Sequence, residues 1–258
     1  MYSNENHIKS YNSVSEDIKF ISNSLIRLKV LMSLIDEPKT MKGICDISDL
    51  TYSSVSNALN LLESKDIVYR KFNQYYLSNI IKLHLDDLVE FKITINLLEE
   101  IFNLIEGHII DNLPKKSITE LHLLEFSILL ESSDVDAFKV YKFIEDALNG
   151  ANFARCILPV YHTKFNKKLN DLVAKNKFVE LKVNKKALKS YKKSSKVKYL
   201  SSFDEINNFL LIITDELMIF GLFREGGIFD QNRLLISFSP NSIKWANNLF
   251  SRFKKLHK

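Results

Sequence analysis

The stretch that decides the fold runs from Thr51 to Leu77 and reads TYSSVSNALNLLESKDIVYRKFNQYYL. Its first half repeats apolar side chains at helical spacing, and Thr51 is placed to cap that helix because its hydroxyl accepts a hydrogen bond from the first turn. In its second half, apolar and polar side chains alternate as in a β-hairpin, with Asn73-Gln74 at the tip. We therefore predict a helix over residues 52–63, followed by a two-stranded wing.

Two shorter helical patterns precede this stretch. A cap at Asn23 or Ser24 and a stop at Glu37-Pro38 bound the first helix, and Thr40 caps the second. The apolar positions are Leu25, Leu28, Leu31, Met32 and Ile35 in the first helix, and Met41, Ile44 and Ile47 in the second. Three helices followed by a hairpin predict a winged helix-turn-helix, which we place at residues 14–80.

The third helix carries short hydroxyl and amide side chains opposite its apolar face. Such side chains approach base edges closely, since Asn pairs with adenine and Ser with bases or phosphate. On the wing, Arg70 and Lys71 suit DNA phosphates. The predicted contacts to double-stranded DNA are Tyr52, Ser53, Ser54, Ser56, Asn57, Asn60, Arg70 and Lys71. The alternatives are a solvated helix face and a winged helix that docks onto protein.

Charge is distributed unevenly along the 258 residues, whose net charge is +5. Residues 1–80 hold 9 basic and 9 acidic side chains, residues 81–150 hold 6 and 14, and residues 151–258 hold 21 and 8, so the net charges are 0, −8 and +13. The basic excess therefore lies outside the predicted DNA reader. It is concentrated in Lys164, Lys167, Lys168, Lys175, Lys177, Lys182, Lys185, Lys186, Lys189, Lys192, Lys193, Lys196 and Lys198. These lysines indicate a solvated surface, contacts to an anionic effector, or nonspecific contacts to DNA phosphates.

The composition indicates a cytoplasmic protein. No apolar run approaches the roughly 18 residues that a membrane span needs, and the N-terminus lacks the apolar region of a signal peptide. Cys45 and Cys156 stand far apart and outside any Cys/His cluster, which argues against a disulfide framework or a zinc site. We expect neither a cofactor nor a metal.

A helical connector is predicted at residues 81–134. A long helical pattern runs from Leu83 to Leu113 and ends at Pro114, and a second helix is expected from Ile118 to Leu130. A helix of this length beside a winged helix either links domains or pairs with its copy. We therefore expect a homodimer.

Residues 135–258 alternate helical patterns with apolar strands. Helices are predicted over residues 136–148, 164–174 and 241–253, and strands over residues 153–160, 178–183, 208–214, 217–223 and 234–238. Gly226-Gly227 marks a tight turn. The fold class is thus α+β: a winged helix-turn-helix, a helical connector, and a C-terminal α/β regulatory domain with a mixed sheet.

Several segments resemble known regulators. SSVSNALNLLESKDIVYR, from Ser53, resembles the ArsR-like winged helices, and ILPVYHTKF, TDELMIFGLFREGGIFDQNRLLISF and SIKWANNLFSRF resemble the C-terminal domain of archaeal methanogenesis-regulator-type transcription factors. Positions in register with that family are Asp215, Leu222, Phe223, Gly227, Asp230, Trp245, Leu249 and Phe250. The chain departs from the family at Ala246-Asn247-Asn248, where Gly-Glu-Glu is usual. The resemblance spans nearly the whole chain and implies a winged helix joined to an effector-sensing domain.

This resemblance further implies a distant kinship with phospholipase D-like half-domains. His162 and Lys164 would then be the remnant of a catalytic His-x-Lys unit. Active members carry an aspartate five residues after the lysine, where this chain has Leu169, with Asp171 two residues late. We therefore do not expect an enzyme, although a degenerate anion pocket is compatible with these residues.

The candidate effector-binding residues are Tyr161, His162, Lys164, Asp215 and Arg224. Tyr161 and His162 follow a predicted strand, where α/β sheets commonly bind ligands. Asp215, Arg224 and Asp230 bracket a hairpin, so an ion pair that holds the turn is the alternative role for these three residues.

The sequence thus predicts a sequence-specific, homodimeric DNA-binding transcriptional regulator whose C-terminal domain senses a small anionic effector. Its two recognition helices would read half-sites about one duplex turn apart. The alternatives are a phosphodiesterase-like enzyme that uses the winged helix to dock its substrate, and a winged-helix protein that docks onto another protein.

Overall fold

The computed structural model describes residues 19–203 and 209–253. The chain forms two compact units that divide between Glu90 and Phe91. The predicted start of the winged helix at residue 14, and Asn208 at the start of one predicted strand, lie outside the described residues. No helix in the described ranges combines the length and the apolar character that crossing a membrane requires.

The N-terminal unit is a winged helix-turn-helix. Each of its three helices begins at the predicted kind of cap: the hydroxyls of Ser24, Thr40 and Thr51 each accept a hydrogen bond of 3.3 Å from the backbone N–H three residues later. Leu31, Ile44, Leu59 and Leu62 are fully buried in the core that the helices share. The elements are α1 (Leu25–Ser33), α2 (Met41–Ser48), α3 (Tyr52–Glu63), β1 (Val68–Lys71) and β2 (Gln74–Leu77).

The wing turns one residue earlier than predicted. Lys71 pairs with Gln74, so Phe72 and Asn73 form the tip instead of Asn73 and Gln74. Both tip residues have positive φ, 50° and 64°, as the tight hairpin turns that suit strand twist require. Asn tolerates this conformation whereas Phe rarely adopts it, which is why the sequence pattern misplaced the tip. Tyr75 of β2 also exchanges two backbone hydrogen bonds with Lys39, which ties the wing to the loop before α2.

Helix α4 (Asn79–Glu100) follows the wing. The helix predicted from Leu83 to Leu113 therefore ends thirteen residues early, since the chain continues through the single turn α5 (Phe102–Ile105) to Gly107, whose φ is +70°. The helix predicted over Ile118–Leu130 is also wrong. That stretch contains α6 (Lys115–Thr119), a 3₁₀ turn (Leu121–Leu124) and strand β3 (Ile128–Glu131). Its apolar end extends because it pairs antiparallel with a strand more than a hundred residues later.

The C-terminal unit is built on a mixed sheet, as predicted, and seven strands form this sheet among the described residues. The strand order is β3-β9-β8-β7-β4-β5-β6, with parallel pairing between β4 and β5 and between β5 and β6 and antiparallel pairing elsewhere. The remaining elements are α7 (Lys139–Gly150), β4 (Phe153–Leu158), α8 (Thr163–Ala174), β5 (Phe178–Asn184), α9 (Lys185–Ser194), β6 (Tyr199–Phe203), β7 (Phe209–Ile213), β8 (Met218–Leu222), β9 (Arg233–Ser237) and α10 (Pro240–Phe253).

Helices cover both faces of this sheet. Successive residues of β7 alternate between the two cores, with Ile212 in one and Leu211 and Ile213 in the other. The first core takes α7, α8 and Tyr191 of α9, and the second takes α10 with the end of α4. Strand β6 and helix α9 were not predicted, because the segment that forms them is dominated by lysines and carries few large apolar side chains.

Candidate nucleic-acid interface and ligand sites

The polar face of α3 is accessible. Val55, Leu59 and Leu62 are buried, whereas Ser53, Asn57 and Asn60 are exposed on the opposite side and Ser56 is half-buried. Tyr52, at the first position of the helix, has 64% of its surface exposed. These five predicted reading side chains therefore lie where a ligand surface could reach them.

The hydroxyls at the start of α3 form a local network. The Thr51 hydroxyl donates a 2.9 Å hydrogen bond to Ser54 Oγ, and its oxygen lies 3.2 Å from Ser53 Oγ. Ser54 is thus tied to the helix cap and half-buried, while Ser53 stays exposed. Of the two serines, Ser53 is the better placed for an outside contact.

The two basic side chains of the wing are exposed and held by neighbours. Arg70 donates a 2.7 Å hydrogen bond to Asn73 Oδ1, and its guanidinium carbon lies 5.7 Å from the centre of the Tyr75 ring. Lys71 Nζ lies 5.4 Å from the centre of the Phe72 ring. Among the described residues, neither side chain has a carboxylate partner, so both charges are available to phosphate.

The wing also presents two aromatic residues that the sequence did not single out. Phe72 is 86% exposed at the tip, and Tyr69 is half-exposed and stacks on Tyr76 with ring centres 5.2 Å apart. The signal that could have found Phe72 is the neighbouring Asn73, which favours the left-handed conformation of a hairpin tip.

Tyr161, His162 and Lys164 lie together after β4. The Tyr161 hydroxyl is 3.0 Å from Ser194 Oγ, and Lys164 pairs with Glu145 at 3.2 Å. His162 caps α8, with its Nδ1 accepting from the Phe165 N–H at 3.4 Å, and its ring stacks on Tyr141 at 4.9 Å. Burial, together with the charge of Lys164, lowers the pKa of His162, although Glu145 acts in the opposite direction.

Asp215 is separated from these three residues. Its carboxylate accepts two 2.8 Å hydrogen bonds from the backbone and side chain of Asn152, directly before β4. These bonds lower the pKa of Asp215, although burial alone would raise it. Tyr161 follows the other end of the strand, and six residues of strand span about 20 Å. The five candidate effector residues therefore do not form one site.

Arg224, which is half-exposed, belongs to the network around the buried Asp230. One carboxylate oxygen of Asp230 accepts from Arg224 at 3.3 Å, and the other lies 2.9 Å from His108 Nε2 and 3.3 Å from Arg233. Burial alone would raise the pKa of Asp230, but hydrogen bonds from the Asn232 N–H, His108 and Arg224 hold it below its usual value. Arg224 and Asp230 thus make the predicted ion pair that holds the turn, without Asp215.

The lysine-rich segment is not uniformly solvated. Lys182, on strand β5 beside the edge strand β6, is only 5% exposed. Its Nζ donates a 2.6 Å hydrogen bond to the Phe250 carbonyl and lies 3.7 Å from the centre of that ring. Lys182 therefore fastens α10 to the sheet, whereas Lys185, Lys186, Lys189, Lys192 and Lys193 lie along α9.

A groove of about 460 Å³ lies between the C-terminal end of α4 and the segment 125–128, which leads into β3. Its polar lining consists of Asn96, Glu100, Glu125 and Ser127, and the rest of the lining is apolar. The sequence did not predict this groove, because its two sides are distant in the chain and join only through the sheet. No set of three or more His, Cys, Asp or Glu able to hold a metal occurs among residues 19–203 and 209–253.

Comparison with known families gives two matches on this chain. Residues 15–96 match the N-terminal domain of the methanogenesis regulatory protein FilR1, and residues 137–256 match its middle domain. The matches do not overlap, and together they span more than three quarters of the chain. No curated protein sequence matches.

Solved structures give distant likenesses. TrmBL2, an archaeal chromatin protein described with a novel mode of DNA binding, is 14% identical, with 96% of this chain and 98% of that chain covered at a TM-score of 0.38. Nuc, a phospholipase D family member from Salmonella typhimurium, is 10% identical over 51% of this chain and 95% of its own at 0.36. The MarR family regulator SPO1453 from Silicibacter pomeroyi is 14% identical over 36% and 78% at 0.26. At such TM-scores these likenesses carry no weight for function.

The family matches therefore decide the assignment. Both FilR1 domains are present, and they follow one another in the order N-terminal, then middle. The chain belongs to the FilR1-type archaeal transcriptional regulators.

Proposed function

We propose that this regulator binds double-stranded DNA in a sequence-specific manner through α3 and the wing. The observation that carries the proposal is the exposed, uncharged face of α3 beside two unpaired wing cations. Ser53, Ser56, Asn57 and Asn60 would read base edges in the major groove, and Arg70 and Lys71 would contact phosphates. Tyr52 and Ser54 flank this reading face at the start of the helix.

The charge distribution makes the salt dependence of binding diagnostic. Residues 1–80 have no net charge, so general attraction to DNA is weak in the reader and its specific contacts must supply the affinity. Two phosphate contacts per subunit give a slope of log K against log salt of about −4 for a dimer. A much steeper slope would mean that the lysine-rich segment also contacts DNA.

The test is fluorescence anisotropy on a duplex from the upstream region of the protein's own gene and on a scrambled duplex, at two salt concentrations. The double variant Ser56→Ala/Asn57→Ala keeps the helix, because alanine is the best helix former. We expect it to lose at least tenfold of the preference for the upstream duplex, since each base contact contributes about 1–3 kcal/mol of discrimination. Ser64→Ala, at the other end of α3, should bind as the wild type does.

Equal binding to the two duplexes, unchanged by the double variant, would contradict the proposal. In that case the lysine-rich segment would dominate DNA binding, and α3 would have another role. Turnover of a phosphodiester substrate that disappears in His162→Ala would instead support the phosphodiesterase-like alternative.

We further propose that a small anionic effector binds after β4, near Tyr161, His162 and Lys164. Support comes from Lys164 in the first turn of α8, where the helix dipole also favours an anion. Asn166, beside them, is buried, and its side-chain oxygen has no hydrogen-bond partner among the described residues. An acidic hydroxyl of the effector would satisfy this oxygen.

Inorganic phosphate is a suitable probe for this effector site. We expect saturable binding by calorimetry that weakens about tenfold in Lys164→Gln and is unchanged in Lys167→Gln, an exposed lysine on the same helix. Equal weakening in both variants would show that phosphate senses only the overall positive charge, and the effector site would have to lie elsewhere.

A further inference from the structure

We propose that the groove between α4 and residues 125–128 binds a small organic amine with an apolar body. The groove lies entirely within the C-terminal unit, and none of its lining residues belongs to the candidate effector site after β4. Its chemistry is also opposite to that of the basic segment, so it defines a second ligand site of a different class.

The first argument is uncompensated negative charge. Glu100 and Glu125 line the groove, and no Lys, Arg or His lines it. Neither carboxylate forms an ion pair or side-chain hydrogen bond within the described ranges. Two carboxylates that line one groove make its wall negative, and a bound cation is attracted to both of them. The groove therefore favours a positively charged ligand.

The second argument is a buried hydroxyl without a partner. Ser127 lines the groove and is only 7% exposed, and its Oγ makes no hydrogen bond to any described residue. Buried polar atoms almost always have a partner, and an unsatisfied one is destabilising. An ammonium N–H of the ligand would donate the hydrogen bond that this oxygen lacks. Asn96 adds an amide to the same wall.

The remaining lining distinguishes an organic cation from a metal ion. Leu97 and the exposed Phe126 line the groove with the polar side chains, and a volume of about 460 Å³ lies in the range of small-molecule sites. Calcium prefers six to eight oxygen ligands, whereas two carboxylates and a hydroxyl suit an ammonium with its three donors. A hydrocarbon chain beside the ammonium would lie on the Phe126 ring and on Ile128, which are 71% and 57% exposed.

Isothermal titration calorimetry with 1,6-diaminohexane, in the absence of DNA, tests this site. We expect saturable binding at low ionic strength and at least tenfold weaker binding of the neutral analogue 1,6-hexanediol. Glu100→Gln and Glu125→Gln, which keep the side-chain shape, should each weaken the diamine about tenfold. The matched control is Glu99→Gln, an exposed glutamate on the same helix that does not line the groove.

Ser127→Ala separates binding from folding. Because it removes an unsatisfied buried atom, this variant should unfold at the same or higher urea concentration than the wild type while binding the diamine more weakly. The proposal is overturned if the diol binds as well as the diamine, if Glu99→Gln weakens binding as much as Glu100→Gln, or if Ser127→Ala leaves affinity unchanged.

A regulatory consequence rests on the proposed function. Helix α4 begins at Asn79, two residues after the wing strand ends, so an amine in the groove contacts the helix that continues from the reader. The diamine should then change DNA affinity more in the wild type than in Glu100→Gln. Because the diamine screens DNA phosphates equally with both proteins, the difference between them reports binding in the groove. An identical response in both proteins would rule out this coupling. Failure of DNA binding itself would leave the calorimetry unaffected.

Discussion

Phe72 shows what single residues contribute to the reader. It sits at the tip of the wing with a φ of 50°, a conformation that costs most L-residues about 1–2 kcal/mol. Its side chain is 86% exposed, so little packing offsets that cost. The wing therefore exposes an aromatic side chain to solvent at a cost in stability. Strained backbone positions of this kind are common at functional sites.

Replacing Phe72 with asparagine should stabilise the N-terminal unit. Asn adopts the left-handed region more readily, so we expect the free energy of unfolding to rise by about 1 kcal/mol in Phe72→Asn. Urea unfolding followed by circular dichroism measures this change. The fluorescence of Trp245, the single tryptophan and a buried residue of the C-terminal unit, serves as the internal reference.

The control for this prediction is Phe72→Leu, which keeps the backbone penalty and removes the ring. It should leave the unfolding free energy near that of the wild type. If leucine stabilises as much as asparagine does, exposure of the ring and not the backbone conformation is the source of the instability.

At the scale of elements, prediction succeeded where local chemistry decides the structure. Thr51 caps α3, and the apolar spacing after it predicted both ends of the helix correctly. Both signals are local, since each depends on residues three or four positions apart. The strand Ile128–Glu131 was read as helix because its apolar run fits either period. Its conformation is decided by β9, which lies far along the chain. The same limit explains the groove, whose walls meet only after the sheet has formed.

The candidate effector residues illustrate this limit at side-chain level. Tyr161, His162 and Lys164 are neighbours in sequence and therefore neighbours in space. Asp215 was a candidate because it brackets the predicted hairpin with Arg224 and Asp230. Its carboxylate instead accepts two hydrogen bonds from Asn152 and so fixes the opposite end of β4. Residue type indicates what a side chain can bind, whereas the strand direction determines which side chains can bind together.

At the scale of the whole molecule, the main prediction is that the protein binds DNA as a symmetric dimer. A recognition helix of twelve residues reads only a few base pairs, so a specific operator calls for two readers. We predict that two chains of 30.0 kDa occupy one duplex carrying two half-sites about 10 base pairs apart. Light scattering coupled to size-exclusion chromatography measures the mass of the complex.

Spacing provides the control for this prediction. Five base pairs inserted between the half-sites should weaken binding at least tenfold, because they turn one half-site to the opposite side of the duplex. Ten inserted base pairs return both half-sites to the same side. One chain per duplex, with no dependence on spacing, would show that the protein reads its site as a monomer.

Strand β3 has a consequence for how such regulators exchange parts. It forms the edge of the C-terminal sheet, yet it comes from the segment before residue 135, and Ser117 of the same segment accepts a 2.9 Å hydrogen bond from the indole of Trp245. An exchange of the N-terminal domain by a cut at residue 134 would remove β3 from the edge of β9 and leave the Trp245 indole without its hydrogen-bond acceptor. Recombination that preserves the C-terminal unit must therefore join a new winged helix upstream of β3, so that the segment before residue 135 is inherited with the sheet.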